Sequence, residues 1–351
     1  MRHGVMYCQR AGSDHFNVGD YIQGLAANQF MRGDVQLNRE ALDEYRGEPV
    51  KLIMNGWFIH RPDKFPPSDA IRPLFVSFHV SPDVADVFFK PKTIDYLKRY
   101  EPIGCRDRET VRKLEEHGIR AFFTGCMTLT LGRTYARAAK ADRRGVWFVD
   151  PLDAFTDRDV DHGRWWILMH PVRTCRIFRR MNVRMFNGLG FRSKLDKFWR
   201  IGAFLRAYST LFPWHVLEHG EYVSHIVPEK SIAGIAGRFA YADELLRSYA
   251  QAHFCVTSRI HCALPCVGMG VPVIFVNPVR LSLSNGRFEG LMGFFNVVDL
   301  YRRKMVPRFE FASPDGQISE GTELPVDSAH KTCSENLADL CARFVAEPEL
   351  A

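Results

Sequence analysis

The stretch Val256-Thr257-Ser258-Arg259-Ile260-His261-Cys262-Ala263-Leu264-Pro265 sets an arginine and a histidine, separated by one residue, where an apolar run ends. Arg259 offers a planar guanidinium whose paired N–H groups match a carboxylate or phosphate, and His261 offers a ring that gains or loses a proton near neutral pH. Residues 252–256 read as a buried strand, 262–269 as a helix and 271–276 as the next strand. Strand, tight turn, helix and strand make the unit of a parallel α/β sheet. Ligands gather there at the carboxyl ends of strands, where helix amino ends present free N–H groups and a positive dipole. The residue types thus point to an anion site with a proton-transferring group. On spacing alone a second reading stays open, with Arg259 capping a neighbouring element and His261 a satisfied core histidine.

The elements that must position this pair alternate along the chain. A helix over 19–31 opens with Gly19 and Asp20. Residues 51–58 and 73–79 read as strands, 93–100 as a helix and 103–106 as a strand. Asp107 can cap a helix over 109–117 that Gly118 ends, and 119–124 is the next strand. A polar connector at 135–144 precedes a strand at 145–149, taken as the start of a second domain. Further on come a strand at 222–226, a helix at 242–250, a polar loop at 310–331 and a closing helix at 334–345. The chain's 351 residues suit two domains of about 100–200 residues each. These are 1–141 and 142–351, the second with a basic insertion at about 155–215 and a C-terminal tail.

Composition is that of a globular chain, with 25% charged and 46% hydrophobic residues. No apolar run approaches the roughly 18 residues of a membrane span, and the first residues lack a signal-peptide pattern. The expected location is cytoplasmic, with peripheral attachment at the inner face of the membrane as an option. The nine cysteines have no metal-type spacing and read as reduced core residues, so no metal is expected. Cys126 and Cys262 are alternative nucleophiles.

Charge is uneven. Between Asp161 and Thr210, eleven basic residues (Arg164, Arg173, Arg176, Arg179, Arg180, Arg184, Arg192, Lys194, Lys197, Arg200, Arg206) face two acids, a local +9 in a chain of +7. A helix-like part groups Leu195, Phe198, Trp199, Gly202, Leu205 and Tyr208 on one face. This segment can lie on an anionic membrane, bind an acidic glycan or diphosphate, or pack as a solvated face on the second domain. No nucleic-acid motif accompanies it, and the dinucleotide fingerprint G-x-G-x-x-G is absent.

Ser258-Arg259-Ile260-His261-Cys262-Ala263-Leu264-Pro265 with Met269-Gly270-Val271-Pro272-Val273 resembles the signature of the polysaccharide pyruvyl transferase family. Asn17-Val18-Gly19-Asp20-Tyr21-Ile22-Gln23 resembles its amino-terminal motif, and Ile103-Gly104-Cys105-Arg106-Asp107 its mid-domain motif. Thr124-Gly125-Cys126-Met127-Thr128-Leu129-Thr130-Leu131 resembles the strand that closes its first half. The resemblance covers about residues 5–290 in the family's order. It implies two Rossmann-like domains facing across a cleft, similar to B-type glycosyltransferases. It also implies transfer of a pyruvyl group from phosphoenolpyruvate to a sugar or lipid-linked glycan, giving a pyruvate ketal.

No cofactor is implied beyond phosphoenolpyruvate as donor substrate. Arg259 would hold the donor, with the N–H groups of the turn at Ser258 and Ile260, and His261 would be the general acid. Asn17, Gly19 and Asp20 would meet a substrate across the cleft, Asp20 having a cap as its competing role. Arg106 would bind an anion, with Arg108 solvated, and His225 would be a further contact. A B-type glycosyltransferase using a nucleotide sugar and a non-catalytic glycan- or phosphate-binding protein are the alternatives.

Overall fold

A computed structural model of the chain describes residues 1–348 except 59, 156, 186–193, 279–285, 287 and 302, with backbone only for 157, 158, 160–162, 194–196 and 278. The first half holds strands β1 (Arg2–Tyr7), β2 (His15–Asn17), β3 (Val35–Asn38), β4 (Val50–Ile53), β5 (Gly56–Trp57), β6 (Ile71–Leu74), β7 (Phe78–His79), β8 (Ile103–Cys105) and β9 (Ala121–Phe123). Its helices are α1 (Val18–Met31), α2 (Ala85–Phe88), α3 (Pro91–Lys98) and α4 (Arg108–Glu116). The second half runs β10 (Val146–Val149), α5 (Asp157–Met169), α6 (Pro171–Arg184), α7 (Lys194–Tyr208), α8 (Trp214–His219), β11 (Glu221–Val223) and β12 (Ile226–Pro228). It continues with α9 (Gly234–Ala250), β13 (Phe254–Thr257), α10 (Ile260–Gly268), β14 (Val273–Pro278), β15 (Asn296–Tyr301), β16 (Lys304–Pro307) and α11 (Ala329–Ala346).

Strands β3-β1-β4-β6 form one parallel sheet and β5-β7-β8-β9 another. The second half has the order β11-β10-β13-β14-β15-β16, parallel except at the β15–β16 edge. Side-chain alternation shows why this sheet is buried on both faces. Trp147, Val149, Cys255 and Phe275 enter the core beneath α1, α9 and α10, whereas Val146, Phe148, Phe254, Val256 and Ile274 enter the one beneath α6, α7 and α8. The α/β class follows. Tyr21, Ile22 and Ala26 of α1 share one apolar cluster with Leu245, Leu264 and Leu337, so the halves are joined by packing along α1. β2 and β12 also join them, pairing antiparallel with Asn17 opposite Ile226.

Several elements differ from the sequence reading. The run 51–58 breaks between β4 and β5, and 73–79 breaks between β6 and β7, where Ser77 takes φ 54. Residues 127–131, expected within the strand 124–131, lie instead in a 3-10 helix, Met127–Arg133: Gly125 at φ 72 turns the chain out of the sheet, and residues 127–131 are buried. In the tail, α11 packs on residues of both halves, on α1 and residues 127–133 as well as on α10. Lys51 Nζ donates to the carbonyls of Phe344 at 2.8 Å and Glu347 at 2.6 Å, a cation set on the negative end of the helix.

The basic segment supplies the helical layer over the second sheet, and α7 is not a surface helix. Its Ile201, Phe204, Leu205 and Tyr208 are buried. Gly202 meets Gly163 of α5 backbone to backbone, and a Cβ on Gly202 would stand 2.4 Å from the Gly163 carbonyl oxygen. Lys197 is fully buried and donates to Asn182 Oδ1 at 2.8 Å and the Met185 carbonyl at 2.5 Å, closing the end of α6. Arg200 donates to the Phe155 carbonyl. Of the three readings of this segment, packing is the one α7 follows: its apolar side faces the protein, and so does Lys197, so α7 offers no membrane-facing stripe. Arg192 and the side chains of Asp161, Lys194, Leu195 and Asp196 lie outside the described residues. No helix among the described residues is long and apolar enough to cross a membrane.

Candidate functional site

Strand register brings the first groups together. Val149 of β10 lies beside Thr257 of β13, so Asp150 and the Ser258–Arg259 turn leave the sheet next to each other at its carboxyl edge. Asp150 takes φ 50, a left-handed conformation that an aspartate tolerates better than most residues. It is 2% exposed. Its carboxylate accepts from Ser224 Oγ at 2.6 Å, Arg259 Nε at 2.7 Å and the His225 N–H at 3.1 Å. Arg259 Nη2 donates to Asp153.

The expected donor clamp thus differs from what is found. Arg259 stands at the N-cap of α10 between two carboxylates, and that triad carries no surplus positive charge for an anion. Burial, then Asp150, pushes the Asp153 carboxyl up to about 7, although 33% of its side chain reaches solvent and screens the effect.

His261 lies in the first turn of α10, against the amino end of α1. A Cβ on Gly19 would stand 2.9 Å from His261 Cβ and 3.0 Å from its Nδ1, so only glycine lets the two helices approach this closely. Gln23, one turn along α1, holds its amide nitrogen 3.4 Å from His261 Nδ1. The amide can donate or accept according to its orientation, so the ring tautomer follows Gln23. His261 Nε2 is buried and has no hydrogen-bond partner among the described residues. Burial first, then Arg106, His225, Arg39 and His79, holds the His261 pKa well below the ordinary imidazole value. Burial and these neighbours thus favour the neutral ring. Pro265 sits inside α10 and lacks the N–H that would bond the His261 carbonyl.

Arg106 is a buried cation with a spare donor. Its backbone N–H is held by the Phe78 carbonyl at 2.9 Å. The side chain is 5% exposed, and its buried Nε, 3.4 Å from Asp107 Oδ2, makes no hydrogen bond among the described residues. Asp107 is committed elsewhere: Oδ1 accepts from Thr110 N and Oγ1, both at 2.9 Å, and Oδ2 lies 2.6 Å from His79 Nδ1. Burial raises the Asp107 pKa, but His79 and Arg106 outweigh it and the carboxyl stays below its usual range. Arg106 Nε and His261 Nε2 are thus both buried without a hydrogen bond among the described residues, and the guanidinium is close enough to the ring to act on it electrostatically.

The remaining candidates are placed as follows. Asn17 caps α1, accepting from Gly19 N at 2.9 Å. Asp20 neither caps nor stands free, since its Oδ1 accepts from Arg39 Nη1 at 2.9 Å. His225 is 1% exposed with Nε2 2.9 Å from Tyr249 OH, so its ring is spent inside the protein; its carbonyl takes the Val18 N–H at 2.8 Å. Ser258 and Ile260 flank Arg259, and no side chain caps α10, whose Cys262 and Ala263 N–H groups bond the Arg259 carbonyl at 3.1 and 3.0 Å. Arg108 is exposed and lies over the Phe123 ring, 5.0 Å from its centroid.

Sequence reasoning missed Gln23, Arg39, His79, Asp150 and Asp153. The last residue of one parallel strand lies beside the next, and that rule could have flagged His79 beside Arg106 and Asp150 beside Ser258. Among the described residues, Cys255, Cys262 and Cys266 hold their sulfurs within 4.8 Å of one another, a donor set suited to a soft metal. All three are fully buried, as is Cys126 at 1%, so Cys126 and Cys262 have no open route as nucleophiles.

No curated protein and no solved structure matches the chain. A family model does, over residues 17–278, a span that includes Asn17, Gly19, Gln23, Arg106, Arg259 and His261. Its description is polysaccharide pyruvyl transferase, and on that match the chain belongs to the polysaccharide pyruvyl transferase family.

Proposed function

We propose that the protein transfers a pyruvyl group from phosphoenolpyruvate to a sugar or glycan and forms a cyclic pyruvate ketal, with the site between two Rossmann-like halves. The observation that carries this reading is that His261 Nε2 and Arg106 Nε are both buried without a hydrogen bond among the described residues, with Arg106 near enough to act on the ring electrostatically. Phosphoenolpyruvate brings two anionic groups to one small molecule. Arg106 and the α10 N–H groups suit one or both of them. Arg259, held by Asp150 and Asp153, orients the turn instead.

The chemistry closes in protons and bonds. The donor's CH2 carbon gains a proton, its neighbouring carbon bonds a sugar oxygen, and the C–O bond to phosphate breaks. A second sugar hydroxyl then adds to the same carbon to close the ketal. One hydroxyl proton balances the new methyl group, and the other leaves with phosphate. His261 is the group placed to carry the first of these. Its neutral ring is favoured before substrate arrives, and a bound anion would offset Arg106 and favour the imidazolium. The proton therefore reaches Nε2 with, or from, the substrates, and the ring then delivers it as general acid.

The test is to incubate the protein with phosphoenolpyruvate and a panel of sugars and lipid-linked saccharides. Phosphate release matched by an acceptor mass gain of one pyruvyl ketal is expected. Transfer of a sugar from a nucleotide donor, with phosphoenolpyruvate inert, would replace this reading.

A further inference from the structure

We propose that the elbow between α5 and α6 docks the protein on an anionic lipid bilayer. Trp165, Leu168 and Met169 are 74%, 67% and 61% exposed, and their spacing puts them on one face of α5. Val172, in the first turn of α6, is 69% exposed. The opposite side of the same turn is anchored. Gly163 and Ile167 are buried, and the Trp166 ring lies 5.1 Å from that of His170, itself 4.9 Å from Trp214. The elbow is thus a fixed edge with large apolar groups turned outward, where a globular surface ordinarily scatters such groups singly.

Charge says what covers it. No acidic residue occurs anywhere in 162–195. Arg164, Arg176 and Arg179 are exposed around the elbow, and Arg173 lies over the Trp214 ring at 4.4 Å. Glu218 answers both Arg173 and Arg176, so that trio keeps a positive surplus. Tryptophan and aliphatic groups inserted at the acyl boundary, with guanidinium groups at the level of acidic headgroups, match this order of side chains. A second copy of the same face would instead oppose arginine to arginine. The inference stands apart from the donor chemistry, because none of these residues belongs to the Arg106–His261 site.

The test uses the full chain with vesicles of phosphatidylcholine alone and of phosphatidylcholine with phosphatidylglycerol. Sedimentation with the anionic vesicles only, reversed by salt, is expected. The double variant Leu168→Glu, Val172→Glu should lower the partition coefficient about tenfold or more, since it removes apolar burial and adds repulsion. Val183→Glu, at an apolar side chain equally exposed but near the far end of α6, should leave it unchanged. Donor affinity should match wild type in both variants, which separates failure here from failure of the proposed reaction. Equal binding to neutral vesicles, no binding to anionic ones, or equal loss in Val183→Glu would overturn the proposal. So would a lipid-independent dimer that the double variant dissolves, since that would assign the face to a second copy.

Discussion

Gly19→Ala tests the geometry of the site with one methyl group. Ordinary carbon–carbon contact begins at about 3.5 Å, and the new Cβ would stand 2.9 Å from His261 Cβ. The ring or the α1 terminus must therefore yield by about 0.6 Å. Two terms act on stability in opposite directions: overpacking costs about 1–3 kcal/mol, while alanine is favoured over glycine in a helix by about 1 kcal/mol. The net change is a small fall in melting temperature. Activity responds differently, because a displacement approaching 1 Å at a reacting group costs on the order of a hundredfold. Turnover by phosphate release should drop roughly tenfold to a hundredfold in a protein that still melts cooperatively near the wild-type temperature. A folded Gly19→Ala protein with full turnover would refute the placement of His261 against α1. A variant that fails to fold would show instead that the contact is worth more to the fold than this reckoning allows.

Two further substitutions read the supporting structure. Lys197→Met removes the buried ammonium that closes α6; the carbonyl left unpaired should lower stability by about 1–3 kcal/mol by denaturant unfolding, and unchanged stability would return Lys197 to the surface. Asp150→Asn keeps a residue that tolerates φ 50 but removes the charge that holds Arg259. A loss of about 1–3 kcal/mol with reduced turnover is expected, and turnover equal to wild type would show that the orientation of Arg259 does not matter.

How much of this was legible in the sequence depended on how local the signal was. The strand-turn-helix around Arg259, the Asp107 cap of α4 and the Gly118 stop are local, and each appears where the residue types put it. The partners of Arg259 were not legible, because Asp150 and Asp153 lie more than a hundred positions away and meet it only through the β10–β13 register. The same holds for Gln23 and His261, brought together by packing of α1 on α10. The basic segment misled for a different reason. An apolar stripe on a helix does not say whether it faces lipid or a neighbouring helix, and Gly202 against Gly163 decided it for α7. The exposed apolar edge lies instead on α5 of the same basic segment, at Trp165, Leu168 and Met169, which were not among the apolar residues grouped from the sequence.

The central claim is that Arg106 and His261 form a site for an anionic donor that brings a proton to His261. Calorimetric titration with phosphoenolpyruvate, in two buffers of different ionisation enthalpy, tests it most directly. His261 is held neutral below its ordinary range mainly by burial and then Arg106, so a bound anion should raise its pKa and draw in a proton. The account predicts binding at one site with net proton uptake near neutral pH, strongest as pH falls toward the unperturbed value of about 6.5. Arg106→Met should abolish it in a protein that still folds cooperatively, at some cost in stability because Asp107 loses a neighbouring cation. Absence of phosphoenolpyruvate binding in the wild-type protein, or undiminished binding in folded Arg106→Met, would contradict the account.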